Sequence, residues 1–210
     1  TPRSLSPLSI AVFGAGKIGS AFAFQLATVG GHDATVVARP DSARLGQLLR
    51  DGAIVDAKGA RASVHVVAAL DEQVPYDPVI VTLLAHQVEA VLPVLKCSAG
   101  ESIQVMFNTF EPERLEQAIG SGRCAFGMPF VQARLDQDGR LDASIGAGGQ
   151  KTITHEQRWV DVFNGAGLPA GRGRNMPLGL GCPAPPGAPR ESEAGAGVRG
   201  GGEGSGAGGG

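Results

Sequence analysis

Apolar positions in this chain come as short continuous bursts separated by stretches of helical period. Ile10-Ala11-Val12-Phe13 is an unbroken apolar run, the pattern of a strand covered on both faces, and residues 8–13 are expected as the first strand. Directly afterwards Ile18, Ala21, Phe22, Leu26 and Val29 recur on one face of a 3.6-residue helix. That spacing predicts a helix over 16–29, stopped by Gly30 and Gly31. Residues 34–38, with Thr35, Val36 and Val37, read as a second strand. Asp41 or Ser42 then caps a short helix whose inner face is Leu45, Leu48 and Leu49, closed by Gly52. Residues 53–57 and 62–68 alternate around Lys58-Gly59, which predicts a hairpin.

The same alternation continues. Val79 to Leu84 is another buried strand. Gln87 to Leu95 is helical through Val88, Val91, Leu92 and Leu95, with Pro93 forcing a kink or two short pieces. Ile103 to Phe107 reads as a strand that leads straight into Asn108. Pro112 to Ile119 is a helix with proline in its first turn, and Cys124 to Phe130 is a further strand. Arg134-Leu135 and Leu141 to Ile145 flank Asp138-Gly139 as a second hairpin. A last helix is expected to start at Thr154 and run through Trp159, Val160 and Phe163 to Gly165. Strands alternating with helices predict an α/β fold, a doubly wound, Rossmann-like parallel sheet. In such a sheet ligands bind outside the carboxyl ends of the strands. Gly14, Arg39, Leu84 and Asn108 all follow expected strands, so they are expected to line one cleft.

From Gly171 onward the texture changes to a tail in which glycine exceeds a third of the residues, with proline clusters and no apolar period. Such composition offers little to offset the entropy of ordering a chain. The expected organisation is a folded domain over 8–170 and a disordered Gly-rich tail over 171–210. Within the domain, 42% apolar residues over the chain suffice for a core, and a net charge of −2 gives no global pull toward nucleic acid or an anionic membrane. Residues 1–9 lack the pattern of a signal peptide, and no apolar run reaches membrane-spanning length. Cys97, Cys124 and Cys182 form no CxxC, which suits a reducing, cytoplasmic setting with the first two as buried thiols.

The candidate chemistry centres on Gly14-Ala15-Gly16-Lys17-Ile18-Gly19, a GxGxxG where a strand turns into a helix. Each glycine has a mechanical role there. Gly14 permits the tight turn, Gly16 lets a pyrophosphate approach the backbone, and Gly19 lets helix and sheet pack closely. The helix start presents N–H groups and partial positive charge to phosphates. Lys17 can add a phosphate contact. Ile18 follows Lys17, so the loop is no Walker A, which needs Ser or Thr there. NAD-binding versions end the second strand with an acidic residue that holds the ribose 2′-hydroxyl. Arg39 stands at that position and suits a 2′-phosphate, so NADP is the expected cofactor; Asp41 is the acidic rival. Asn108 has an amide suited to a nicotinamide or a substrate carbonyl. His86 is read as an exposed helix-start residue. His155-Glu156 lacks the second histidine of a zinc helix, and no metal site is expected.

These stretches together give the chain a family likeness. Gly14-Ala15-Gly16-Lys17-Ile18-Gly19, Ala38-Arg39-Pro40, Val81-Thr82-Leu83-Leu84-Ala85-His86-Gln87, Phe107-Asn108-Thr109 and Gly127-Met128 resemble, in order and spacing, the N-terminal domain of ketopantoate reductases (2-dehydropantoate 2-reductases) over roughly 8–170. The resemblance implies that the glycine loop and Arg39 bind NADPH, with Leu84 beside the cofactor. It implies that Asn108 contacts cofactor and substrate, that the substrate is a small 2-keto acid, and that the setting is pantothenate synthesis. The family usually has Lys where Leu84 stands and Gly where Thr109 stands. Its catalytic Lys and substrate-binding Glu lie in a helical C-terminal domain and carry over to no residue here. Two other readings stay open at this point: a non-catalytic NADP-binding or sensor module, and a truncated product without activity.

Overall fold

The computed structural model describes residues 6–109 and 111–173; the expected tail from 174 on lies outside the described residues. In chain order the elements begin with β1 (Ser9–Phe13), α1 (Lys17–Thr28), β2 (Asp33–Val37) and α2 (Ala43–Asp51). Short strands β3 (Ala53–Val55), β4 (Arg61–Ser63) and β5 (His65–Val67) follow, then β6 (Pro78–Val81). A 3₁₀ helix (Ala85–Val91) leads into α3 (Leu92–Cys97), β7 (Ser102–Val105), α4 (Pro112–Ile119) and β8 (Cys124–Phe126). The hairpin strands β9 (Val131–Leu135) and β10 (Leu141–Ile145) come next, and β11 (Thr152–Thr154), α5 (Gln157–Gly165) and β12 (Ala170–Arg172) finish the described chain. β12 pairs in parallel with β11, so regular structure runs past the expected domain boundary at 170.

Six strands form one sheet in the order β5-β2-β1-β6-β7-β8, every neighbouring pair parallel. The period-2 geometry of a strand sends successive side chains to opposite faces, and both faces are covered. Ile10 and Val12 face a core built with Phe22, Leu26, Leu48, Trp159 and Phe163 from α1, α2 and α5. Ala11, Val79 and Val81 face a second core with Val88, Leu95 and Leu115 from the 3₁₀ helix, α3 and α4. This two-sided burial is why Val79, Ile80 and Val81 are all fully buried and why their stretch lacks a polar alternation. Phe22 and Phe163 meet edge to face with centroids 5.5 Å apart, the arrangement that aromatic quadrupoles favour.

Several boundaries differ from the sequence expectation, each for a tertiary reason. The run 62–68 divides: β4 pairs antiparallel with β3, while β5 joins the main sheet beside β2. β6 stops at Val81, β7 at Val105 and β8 at Phe126, although the apolar runs continue beyond them. At Gly127 an added Cβ would lie 2.5 Å from the Ile153 carbonyl oxygen, so glycine lets the chain leave β8 close against the β11 backbone, which Met128 then bridges. The expected Thr154 helix start is instead a strand end. Thr152 and Thr154 are buried, the Thr154 hydroxyl donates to Gln104 Oε1 at 3.1 Å, and the helix begins at Gln157. The Pro93 segment does split into two short helices, with Pro93 in the first turn of α3. That short helix buries only Leu95, which leaves Cys97 exposed, not buried as expected, while Cys124 is buried. Burial first, then Glu116, pushes the Cys124 thiol up to about 12, so it is inert at neutral pH. No helix among the described residues is long and apolar enough to cross a membrane.

Helix α2 gives a direct test of which face is inward. Ser42 caps it by accepting from the Leu45 amide at 3.1 Å, and Gly52 ends it. Leu45 and Leu48 are buried, but Leu49 is 57% exposed, so the inner stripe is narrower than its three leucines imply. Leu48→Ala should lose about 2–5 kcal/mol, and Leu49→Ala should stay within about 0.5 kcal/mol, both measured by denaturant unfolding.

His32 links this fold to pH. It is buried, and its Nδ1 accepts from the Leu8 amide at 3.2 Å, which requires the neutral ring. Burial lowers its pKa, an effect that Asp77 partly opposes. A histidine lowered on folding contributes fully above its ordinary value of about 6.5, and that stability is lost as pH falls. The free energy of unfolding should therefore decline as pH is lowered from about 6.5. A His32→Gln variant should show a shallower slope over that window, read by urea titrations at stepped pH.

Candidate functional site

The sheet order creates a single reversal. From β1 the chain moves outward to β2 and β5, then returns to lay β6 on the other side of β1. The crevice therefore opens at the carboxyl ends of β1 and β6, and the glycine loop fills its floor. The Gly14 amide donates to the Val37 carbonyl at 3.0 Å. The Thr82 amide donates to the Phe13 carbonyl at 2.9 Å, and its hydroxyl reaches the same oxygen at 3.2 Å. The loop is thus tied to β2 on one side and to β6 on the other.

The three glycines have different surroundings. Gly14 has φ +116°, and a Cβ there would lie 2.8 Å from Thr82 Oγ1. Gly19 is buried in α1, where a Cβ would come within 1.9 Å of the Gly14 carbonyl oxygen; only glycine allows the helix to start so close to the turn. Gly16 differs from both, because nothing lies within 4 Å of the Cβ position. It is the N-cap of α1 in extended geometry, with no side-chain cap and no acidic residue in the first turn. The amides of Gly16, Lys17 and Ile18 find no hydrogen-bond partner among the described residues. Orphan N–H groups beneath open space at a helix start are what an anionic group needs. Ala15 is buried and Lys17 is exposed beside the loop.

Arg39 follows β2. The Ala38 amide holds that strand end by donating to Val67 O at 2.9 Å, and the Ser42 amide donates to Arg39 O at 3.3 Å across Pro40-Asp41. Asp41 takes φ +60°, the one positive value at a non-glycine among the described residues, a conformation that costs of order 1 kcal/mol. Arg39 is exposed and makes no ion pair among the described residues. Leu84 is 60% exposed just past β6, its amide donating to Gln87 Oε1 at 3.1 Å. Asn108 is exposed in the loop between β7 and α4, farther from its strand than the sequence suggested. The next residue, Thr109, is buried and accepts from the Glu111 amide at 3.2 Å. Gly14, Arg39, Leu84 and Asn108 thus come from four loops at the carboxyl ends of the parallel strands, those after β1, β2, β6 and β7. His86 is exposed in the 3₁₀ helix.

Sequence reasoning passed over Arg44. This half-buried residue in the first turn of α2 reaches the glycine loop: its Nε donates to Ala15 O at 3.3 Å, and one terminal nitrogen donates to Ser20 Oγ at 3.0 Å. Its other terminal nitrogen donates to Gly139 O at 2.7 Å and to Gln47 Oε1 at 2.9 Å. No local pattern announces this, because the acceptors lie 29 and 95 residues away. Arg44 also lines a cavity of about 280 Å³ with Arg50, Arg61 and Arg140, between α2, the β3–β4 hairpin and the turn after β9.

Comparison with known proteins points the same way as the geometry. The family model described as ketopantoate reductase PanE/ApbA matches residues 10–155. A protein assigned as 2-dehydropantoate 2-reductase from Enterococcus faecalis superposes with a TM-score of 0.66 at 22% identity, over 80% of this chain and 58% of its own. A PanE/ApbA family ketopantoate reductase from Ralstonia eutropha gives 0.65 at 15% identity, over 80% and 57%. D-mandelate dehydrogenase in complex with NADH gives 0.62 at 17% identity, over 80% and 56%. The chain therefore spans well under two thirds of the length of these solved structures, and at such identities the likeness is one of fold. No curated protein matches the chain.

The contrast between Gly16 and Gly19 is measurable. Gly16→Val places a side chain in open space, so it should leave the melting temperature nearly unchanged while lowering affinity for NADPH or NADH about tenfold or more. Gly19→Ala must push the Gly14 carbonyl aside and should cost about 1–3 kcal/mol of stability. Titration and thermal melts of both variants check this; unaltered nucleotide binding by Gly16→Val would remove the loop from the binding site.

Proposed function

Because this chain belongs to the ketopantoate reductase PanE/ApbA family, we propose that it is the NADP(H)-binding domain of an oxidoreductase acting on a small 2-keto acid. The observation that carries this reading is the glycine loop. Gly16 lies under open space, the amides at the start of α1 lack partners, and no acid stands in that first turn. The pyrophosphate sits over Gly16, held by these amides and by Lys17. Arg39, at the end of β2 and without an ion-pair partner among the described residues, takes the ribose 2′-phosphate. Leu84 offers an apolar surface beside the nicotinamide, and the Asn108 amide holds the nicotinamide or the substrate carbonyl. When bound, the reduced nicotinamide supplies the hydride that converts a 2-keto acid to a 2-hydroxy acid. The domain's own task is to bind and orient; the general acid and the substrate carboxylate contact belong to the helical domain of the family. A cytoplasmic setting fits this chemistry.

A second reading is favoured by the position after β6. The exposed Leu84 stands where the family usually carries a lysine, and an apolar side chain neither donates a proton nor pairs with a carboxylate. On this reading the chain binds NADP(H) without turnover. Nucleotide titration alongside an assay with a panel of 2-keto acids separates the two.

The cofactor assignment rests on Arg39. Hydrogen bonds to a charged group contribute about 1.5–3 kcal/mol, or roughly 10- to 150-fold in affinity. Arg39→Ala should weaken NADPH by about that factor and change NADH little, while Lys17→Ala should weaken both alike. Fluorescence titrations at one fixed salt concentration measure the ratio. An unchanged ratio in Arg39→Ala would transfer the role to Asp41 and the preference to NAD.

A further inference from the structure

The Ala15 carbonyl is held from two directions. Arg44 Nε donates to it at 3.3 Å, and Ser20 Oγ donates to it at 3.2 Å from within α1. The same guanidinium donates to Ser20 Oγ at 3.0 Å, so loop, helix and arginine close a ring of hydrogen bonds. On its far side Arg44 is fixed by Gly139 O and Gln47 Oε1, and the Gln47 amide in turn donates to Asp138 O. A peptide group is planar and trans, so its C=O and N–H point in opposite directions. Pinning the Ala15 oxygen toward Arg44 and Ser20 therefore turns the Gly16 N–H the other way, away from both side chains. That N–H is one of the unpartnered donors beneath the open space over Gly16.

We infer that Arg44 is a positioning residue for the phosphate-binding loop: with Ser20 it sets the plane of the Ala15–Gly16 peptide, so that the Gly16 amide is already aimed at a dinucleotide's pyrophosphate. This rests on the nucleotide-binding reading above. Arg44 is committed chiefly to the protein: four of its five N–H groups donate to Ala15 O, Gly139 O, Gln47 Oε1 and Ser20 Oγ. Burial lowers its pKa and Asp51 opposes that shift, yet a guanidinium stays charged at neutral pH. Without the arginine, Ser20 alone holds the Ala15 carbonyl, the peptide plane is less constrained, and part of the orientation has to be imposed at the moment of binding, which weakens affinity. The pyrophosphate is common to NADPH and NADH, so both lose equally. In this respect Arg44 differs from Arg39, whose loss discriminates between the two cofactors.

The test titrates Arg44→Met, Arg44→Lys and Ser20→Ala with NADPH, with NADH and with adenosine 2′-monophosphate, which lacks the pyrophosphate. Arg44→Met should weaken NADPH and NADH by about tenfold each, with their ratio unchanged and adenosine 2′-monophosphate unaffected. Arg44→Lys should recover part of the loss, and Ser20→Ala should show a smaller loss of the same kind. In the ligand-free protein the Gly16 amide resonance should move in Arg44→Met, a readout that general destabilisation would not confine to the loop. A changed NADPH-to-NADH ratio would mean direct contact with the 2′-phosphate and would overturn the inference, as would wild-type affinities in Arg44→Met. If that variant does not fold, Ser20→Ala decides, with unaltered affinity for both dinucleotides as the overturning result. Failure of the wild-type chain to bind any of these nucleotides is a separate outcome and defeats the nucleotide-binding reading itself.

Discussion

The architecture depends on one close approach: the start of α1 lies against the turn that leaves β1, with Gly19 set directly over the Gly14 carbonyl. Any side chain at Gly19 would drive the helix away from the sheet. α1 supplies Phe22 and Leu26 to the core, so displacing it would open that core as well. The same approach shapes the site. Because the helix begins immediately after a tight turn and its N-cap is Gly16, which has no side chain, its first amides have neither backbone acceptors nor a side-chain cap. A constraint of packing thus leaves unpartnered donors at the start of α1, the groups on which the proposed function draws.

Around this point the parallel sheet is held by apolar cover on both faces and by a few polar ties in its interior. Gln104 is fully buried in β7, where its amide donates to Ser102 Oγ at 2.7 Å and its oxygen accepts from Thr154 at 3.1 Å. A buried amide left unpaired would be costly; here it links the main sheet to β11, and so to the segment that carries α5. The two hairpins act differently. β3–β4 packs beside α2, and the turn of β9–β10 reaches Arg44 and Gln47. The hairpin turn and the glycine loop therefore share one guanidinium, although Gly139 and Ala15 are far apart in sequence.

The loops at the carboxyl ends of the strands and the arginine-lined cavity hold their arginines in different ways. After β2, Arg39 is held only through its backbone, on a turn whose third residue, Asp41, adopts a strained positive φ, and its guanidinium stays exposed. In the cavity Arg44 gives four of its five N–H groups to protein acceptors, and on the inference above it serves the geometry of its neighbours. On the proposed reading one arginine recognises the ligand and the other prepares the backbone that does, and their own hydrogen-bond partners separate the two roles.

The sequence by itself determined what depends on neighbours along the chain. The strand–glycine turn–helix start, a cap at Asp41 or Ser42 that the structure assigns to Ser42, the stop at Gly52, the proline start of α4 and both hairpin turns follow from local sterics and local hydrogen bonding, and were legible to that extent. So was the doubly wound class, since burial on both faces writes itself as unbroken apolar runs. The tertiary structure alone decided what depends on partners far away. It divided residues 62–68 between two sheets and ended β6, β7 and β8 short of their apolar runs. It also turned Thr152–Thr154 into a strand, left Cys97 and Leu49 outside the cores and brought Arg44 to the glycine loop. In each case the deciding contact joins distant segments, and a side chain's period along its own element carries no record of which distant backbone will present it with an acceptor or cover its face.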